Sequence, residues 1–313
     1  MALVLATAAA SPSETLAQEP WVHVDGARLQ VRFQGSDSLR ARRAMALLDG
    51  TPPLVGLGEM SVRPLLTIAP NRVVMDSLAG GRVPEWGAAV AIPGRMEIVV
   101  PGRELWPPSL PEEARILRHE WAHLALADGL DGLRIPRWFH EGYAEWAAGG
   151  WAGGGAWKLR VALAMGGAPK LDSLALRWPA SRTPSEVAYL LSASVIEYLV
   201  DSSGAESLGI FFEEWRESRS FDGALRAVYG ATPSQLESDW KKWAKRRYGW
   251  LMVVSHSAVF WAMLSTALVA MVLIRRRSRR EQMARLRAGE PPDSPAYWDG
   301  LGEEEYGWED PGR

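Results

Sequence analysis

Two histidines four residues apart, His119 and His123, constrain the fold of this chain more than any other feature. Ser109 and Glu112 form a capping box ahead of them, which predicts that both lie in one helix. Residues at i and i+4 share a helical face, so the two imidazoles can bind one metal ion. Glu120, one residue after His119, is rotated by about 100° around the helix axis, toward a metal-bound water. The spacing predicts half of a zinc site. The alternative is two histidines that pack or form hydrogen bonds on an ordinary helix.

The composition limits how a metal could be held. The 313 residues include five histidines and no cysteine. This excludes a disulfide framework, a thiolate zinc site, an iron–sulfur cluster and a cysteine nucleophile, so any metal must be bound by His, Asp or Glu. The formal net charge of −2 argues against a protein that binds nucleic acid through bulk positive charge.

A second segment, rich in aromatic residues, offers a third ligand. Glu141 and Glu145 lie four residues apart in a predicted helix, so their carboxylates share one face. A catalytic zinc has three protein ligands and one open position, and we predict that Glu141 joins His119 and His123 as the third. We predict that Glu145 accepts a hydrogen bond from the outer nitrogen of His119. The alternative is that both glutamates are solvated.

The two segments together resemble the gluzincin clan of zinc metallopeptidases, which has thermolysin-like and aminopeptidase-like branches, and especially the bacterial peptidase MA-like domains. The resemblance covers residues 21–248 and implies a zincin-like fold. It implies that His119, His123 and Glu141 bind zinc. It also implies that Glu120 is the general base.

The resemblance extends to three further segments. The segment that begins at Tyr189 is similar to one whose leading tyrosine stabilises the oxyanion in the aminopeptidase-like branch, and residues 221–248 are similar to the closing helices of the MA-like domain. Residues 88–92 would be the edge strand that pairs with an extended substrate. The sequence has no convincing copy of the motif that holds a free amino end in aminopeptidases, so exopeptidase specificity is not supported.

These residues predict a membrane-anchored, zinc-dependent metallopeptidase. It would hydrolyse a peptide or protein substrate by a zinc-activated water, with Glu120 as the base and Tyr189 as the oxyanion donor. The alternative is a non-catalytic zincin-like module at the membrane that binds a metal or a protein. An intramembrane protease is disfavoured because the zinc helix carries Glu112, Glu113 and Arg115, which are costly to place in lipid.

The predicted fold class is α+β, with mixed strands and a helix first, a helical zinc-binding half second, and one C-terminal transmembrane helix. Turn signals and periodicity place the elements along the chain. We predict a strand or a hairpin over residues 22–33, a hairpin over 87–100 and a strand over 65–69. We predict helices over 38–48, 109–129, 136–148, 183–201 and from 232 onward, and an irregular connection over 151–182.

Residues 250–274 carry no formal charge, and arginines follow from Arg275. As a helix this stretch is long enough to cross a hydrocarbon core of about 30 Å, so we predict a transmembrane helix there. The run of Ala, Leu, Val and Thr over residues 2–10 predicts a signal peptide over residues 1–20, with a plain disordered terminus as the alternative. The composition of residues 275–313 predicts a basic, then acidic, disordered tail.

The predicted topology follows from these segments. A signal peptide would export residues 21–248 up to the stop-transfer helix, so we predict an extracytoplasmic catalytic domain and a cytoplasmic tail. The alternative is a cytosolic domain held by a C-terminal anchor.

Overall fold

The computed structural model describes residues 20–81, 88–102, 109–149, 155–164, 169–248 and 258–289. The described residues divide into two compact units, one within Met1–Met252 and the other within Val253–Arg313. The predicted signal peptide, apart from Pro20, lies outside the described residues.

The first unit begins with a mixed sheet of five strands in the order β1-β2-β3-β5-β4. Strands β1 and β2 pair antiparallel, as do β4 and β5, which confirms the two predicted hairpins. Strands β2, β3 and β5 run parallel, and β4 forms one edge. The strands are β1 (Val22–Asp25), β2 (Gln30–Phe33), β3 (Leu65–Ala69), β4 (Val90–Ile92) and β5 (Glu97–Pro101).

Both faces of the sheet are covered, which explains why β5 is buried along its whole length. Side chains alternate between the faces of a strand. Ile98 therefore packs in one apolar cluster with residues of α1 (Ser38–Asp49) and α3 (Leu110–Gly129), whereas Val99 packs in another with residues of α2 (Arg72–Ala79). The sheet thus places α3, the helix with the histidine pair, against one of its faces.

The rest of the first unit is helical, and its apolar core lies between the helices. Helix α3 begins after Ser109, as predicted, but the Ser109 hydroxyl makes no capping hydrogen bond. At the start of the last helix of this unit a capping box forms, since the Gln235 side chain accepts from the Thr232 backbone N–H at 2.8 Å and the Thr232 hydroxyl accepts from the Gln235 N–H at 3.3 Å. The helices after α3 are α4 (Arg137–Ala147), α5 (Gly155–Ala164), α6 (Leu171–Leu176), α7 (Arg182–Ser203), α8 (Glu206–Ser218), α9 (Phe221–Tyr229) and α10 (Pro233–Tyr248).

Helices α4 and α7 approach each other closely at Gly142. A Cβ atom at this position would lie 2.6 Å from the backbone oxygen of Ser192 on α7, closer than real Cβ contacts. Only glycine therefore allows this close approach of α4 to α7.

The segment 151–182 corrects our prediction of an irregular connection. Its described part contains α5 and α6. The pairs Leu159 and Leu163, and Leu171 and Leu174, are buried at helical spacing in the helical core. Burial of these leucines outweighs the low helix propensity of the surrounding glycines and prolines.

The predicted α+β class is wrong, because most of the described residues are helical. The strands among the described residues form one small sheet. Four helices that the periodicity of the sequence did not indicate add to the helical content, namely α2, α5, α6 and α8. Non-local packing stabilises these helices, and a local pattern does not report it.

The second unit corrects the prediction of a membrane span. Its described part is α11 (Ala258–Gly289). The uncharged, mainly apolar run of this helix ends at Ile274, and arginines follow from Arg275. No helix in the described ranges is both long and apolar enough to cross a membrane. This finding contradicts the predicted transmembrane helix over 250–274 and the predicted single-pass membrane localisation. Residues 249–257 lie outside the described residues, and the first part of the predicted disordered tail is helical.

Candidate metal centre

The three predicted ligands converge between α3 and α4. One possible donor atom from each of His119, His123 and Glu141 lies within 4.8 Å of the other two. The Nε2 atoms of the two histidines are 3.1 Å apart. The Oε2 atom of Glu141 lies 3.7 Å from Nε2 of His119 and 3.4 Å from Nε2 of His123. The helical spacing and the packing of the two helices therefore produce a compact set of donors.

These separations fit a tetrahedral metal. With metal–ligand distances of about 2.0–2.1 Å, two ligands of a tetrahedral zinc lie about 3.3 Å apart. The observed donor separations of 3.1, 3.4 and 3.7 Å bracket this value. Two imidazoles and one carboxylate are also a ligand set that catalytic zinc uses. The residues present therefore fit a zinc ion with one coordination position left open.

The electrostatics of the metal-free site favour a cation. Burial raises the pKa of the Glu141 carboxyl, but the imidazoles of His119 and His123 outweigh it and hold this pKa well below its usual range. Burial lowers the pKa of His119, but contacts with Glu141 and Glu145 and the charge of Glu120 raise it to about 10. Without a metal, a proton on His119 supplies the positive charge that the carboxylates require.

Glu145 lies beside His119, on the side of the ring away from the donor cluster. Its Oε2 atom lies 3.3 Å from Nδ1 of His119, while Nε2 of the same ring faces Glu141 and His123. The side chain of Glu145 is only 10% exposed, so the solvated alternative does not describe it. A carboxylate at this nitrogen fixes the tautomer and orientation of a ligating imidazole.

Arg115, which the sequence analysis did not assign to the site, binds Glu145. One guanidinium nitrogen donates to both carboxylate oxygens, at 3.3 and 3.1 Å. Burial raises the pKa of Glu145, but His119 and Arg115 outweigh this and lower it. Arg115 lies four residues before His119 on α3, so the i, i+4 spacing places it on the face of the histidine pair but does not identify its partner on α4.

Glu120 is buried and faces the edge strand of the sheet. Its Oε2 atom accepts a hydrogen bond of 2.7 Å from the backbone N–H of Ala91 on β4. The predicted general base is therefore held at the edge where we expected an extended substrate to pair. A backbone donor of this kind leaves no trace in the sequence.

Tyr189 and His140 lie on opposite sides of the histidine pair. The Tyr189 ring is 5.9 Å from the His119 ring and 5.1 Å from the Trp178 ring. The His140 ring is 4.1 Å from the His123 ring. Burial and the neighbouring His123 lower the pKa of His140 to about 3, so this imidazole is neutral near pH 7. Both residues therefore border the donor cluster without belonging to it.

Part of this chain is similar to a protein from another organism. The sequence is 26% identical over 136 residues to "Uncharacterized protein YhcO" from Bacillus subtilis (strain 168). The aligned part is 41% of this chain and 40% of that protein, so the chain spans less than half the length of the relative.

The family comparison covers a larger part of the chain. The profile described as Peptidase MA superfamily matches residues 78–246, which include the histidine pair, both glutamates of α4 and Tyr189. The matched residues are more than half of the 313 in the sequence. This chain therefore belongs to the peptidase MA superfamily.

Proposed function

We propose that residues 21–248 form a zinc metallopeptidase domain of the gluzincin type. The observation that carries this proposal is the convergence of His119, His123 and Glu141 from two adjacent helices, with donor separations that suit zinc. Membership of the peptidase MA superfamily supports the reaction class. Structural zinc sites are closed by four protein ligands, whereas three ligands leave a position for chemistry.

The proposed reaction is hydrolysis of a peptide bond. Zinc held by His119, His123 and Glu141 would polarise the carbonyl and make water acidic enough to react near neutral pH. Glu120 takes one proton from the attacking water as the water oxygen forms a bond to the carbonyl carbon. The C–N bond then breaks, and Glu120 passes that proton to the leaving amine. The products are a carboxylic acid and an amine.

In this proposal Tyr189 serves as the oxyanion donor. Burial raises the pKa of its hydroxyl, and the carboxylates of Glu141 and Glu120 raise it further, so the hydroxyl keeps its proton. A protonated phenol beside the His119 ring can donate a hydrogen bond to the negative oxygen that develops on the substrate. The same pKa makes Tyr189 unsuitable as a base near pH 7.

A peptide digest with a Glu120→Gln variant tests the proposal. The zinc-loaded chain should cleave a mixture of unstructured peptides, and the variant should lose about 10² to 10⁴ in rate, the usual contribution of a general base. Zinc content measured on the same samples should be equal. Glu112→Gln, a matched change at an exposed position at the start of α3, should keep full activity.

Two results would separate the proposal from its alternative. If the wild-type chain binds zinc and cleaves no peptide, the domain is a non-catalytic metal-binding module. If the Glu120→Gln variant cleaves at the wild-type rate, Glu120 is not the base and the proposed mechanism is wrong.

A further inference from the structure

Arg137, the first residue of α4, places a positive charge beside the candidate metal centre. Its Nε atom lies 3.9 Å from Oε1 of Glu141, whose Oε2 atom faces the two histidines. This separation is too long for a hydrogen bond, and the side chain of Arg137 is 53% exposed. Among the described residues it forms no closer ion pair than this one. The guanidinium group therefore has N–H donors left for another acceptor.

Two aromatic rings connect Arg137 to the histidine pair. The guanidinium carbon of Arg137 is 5.2 Å from the centre of the Trp178 ring, and the centres of the Trp178 and Tyr189 rings are 5.1 Å apart. The Tyr189 ring is 5.9 Å from the His119 ring. The face of an indole attracts a cation at this distance, which favours the observed position of the guanidinium group. The side chains therefore form a continuous row from His119, past the proposed oxyanion donor, to Arg137.

The charge balance of the site leaves Arg137 uncompensated. The described part of the chain places three carboxylates and two guanidinium groups around the donor cluster, those of Glu120, Glu141, Glu145, Arg115 and Arg137. Arg115 already binds Glu145. A zinc ion carries two positive charges, so zinc and Arg115 together balance the three carboxylates. The charge of Arg137 then has no counterpart, which favours an anionic group on a molecule that binds beside it.

A carboxylate is the anion of a peptide that suits this position. The planar guanidinium group of arginine binds a carboxylate through two parallel hydrogen bonds. In a peptide, the carboxylate is either the side chain of Asp or Glu or the free C-terminal group. One side chain, that of Glu141, separates Arg137 from the two histidines. Because an extended peptide advances about 3.3 Å per residue, a carboxylate that reaches Arg137 belongs to a residue near the cleaved bond.

We propose that Arg137 binds a carboxylate of the substrate within about two residues of the cleaved bond. The proposal rests on the proposed peptidase function and adds a substrate class to it. The substrates would be peptides that carry an acidic side chain or a free C-terminal carboxylate at that distance. Arg137 would determine specificity and would take no part in breaking the bond.

Binding of peptides to a variant that does not turn them over tests Arg137 independently of hydrolysis. The zinc-loaded Glu120→Gln chain is titrated by calorimetry with blocked peptides in which Glu replaces Gln at each position in turn. A second series carries a free C-terminal carboxylate in place of the amide, at successively shorter lengths. In one series, one peptide should bind about fivefold or more tightly than its neutral counterpart, the effect of one well-oriented ion pair at a partly exposed site. The series in which this occurs identifies the source of the carboxylate.

Three further variants show whether Arg137 causes the preference. Arg137→Gln, added to Glu120→Gln, should abolish it. Arg137→Lys should keep part of it, because an ammonium group keeps the charge but not the two parallel hydrogen bonds. The matched control is Arg216→Gln, which removes the same charge at an exposed position of α8 and should leave the preference intact. The zinc content should be equal in all of these variants.

Equal affinities within both peptide series, or a preference that survives Arg137→Gln, would overturn the proposal. A loss of zinc in Arg137→Gln would also overturn it, because Arg137 would then act on Glu141 and not on the substrate. A preference that Arg137→Gln removes, in a wild-type chain that cleaves none of the peptides, would support the carboxylate site and refute the proposed hydrolysis.

Discussion

The Oε2 atom of Glu145 lies 3.3 Å from Nδ1 of His119, on the side of the ring away from the donor cluster. We predict that Glu145→Gln weakens zinc binding by about 10- to 100-fold, because an amide holds the imidazole orientation less well than a carboxylate. Competition with a chromophoric chelator measures this change.

The control for this prediction is Glu186→Gln on α7. Glu186 is a partly exposed carboxylate that pairs with Lys158 and Arg182, away from the donor cluster. Its loss should leave zinc affinity unchanged. An affinity that is equal in Glu145→Gln and the wild type would show that Glu145 does not support His119.

The second prediction concerns the contact between α4 and α7. Gly142→Ala would place a Cβ atom 2.6 Å from the Ser192 backbone oxygen, so the helices must separate. We expect the metal-free chain to lose about 1–3 kcal/mol of unfolding free energy, the usual cost of overpacking. Urea denaturation in the presence of a chelator measures it.

Gly209→Ala on α8 is the matched control, since a Cβ atom there meets its nearest neighbour at 3.7 Å, an ordinary contact. This variant should be as stable as the wild type or slightly more stable, because alanine restricts the unfolded chain. Equal stability of the Gly142 and Gly209 variants would contradict the importance of the close approach.

Local spacing predicted the proximity of His119, His123 and Glu141 better than it predicted the fold. The i, i+4 rule placed His119 and His123 on one face, and it placed Glu141 and Glu145 on the next helix. The hairpins and α3 also followed from turn signals and periodicity. These features depend on residues close together in the chain.

Contacts between distant segments were not predictable in this way. Glu186 on α7 pairs with Lys158 on α5, 28 residues before it in the chain. The hydrogen bond from Ala91 to Glu120 and the ion pair of Arg115 with Glu145 join segments about 30 residues apart. Such pairs form only after packing, so no short pattern reports them.

The third prediction tests the role of Tyr189. Replacing it by Phe removes only the hydroxyl, so we expect turnover to fall by about 10²- to 10³-fold, the usual loss for one oxyanion donor. Zinc content and KM should change little. A fully active Tyr189→Phe variant would mean that the ring only packs against Trp178 and His119.

The fourth prediction is the pH dependence of zinc binding. The pKa of His119 in the metal-free chain is raised to about 10, so below that pH a proton occupies the imidazole that must bind the metal. Glu141 stays ionised because its pKa is lowered. Zinc affinity should therefore rise by about tenfold per pH unit between about pH 7 and 9, since binding releases one proton. An affinity that is constant over this interval would contradict the assignment.

The zinc content of the purified chain tests the central claim most directly. Elemental analysis after dialysis should find one zinc per chain in the wild type and none above background in His123→Ala, because two remaining ligands bind the metal weakly. The mutation leaves Glu120 and Arg137 in place, so a loss of metal reports the site itself. One zinc per chain in His123→Ala, or no zinc in the wild type, would contradict the metal centre formed by His119, His123 and Glu141.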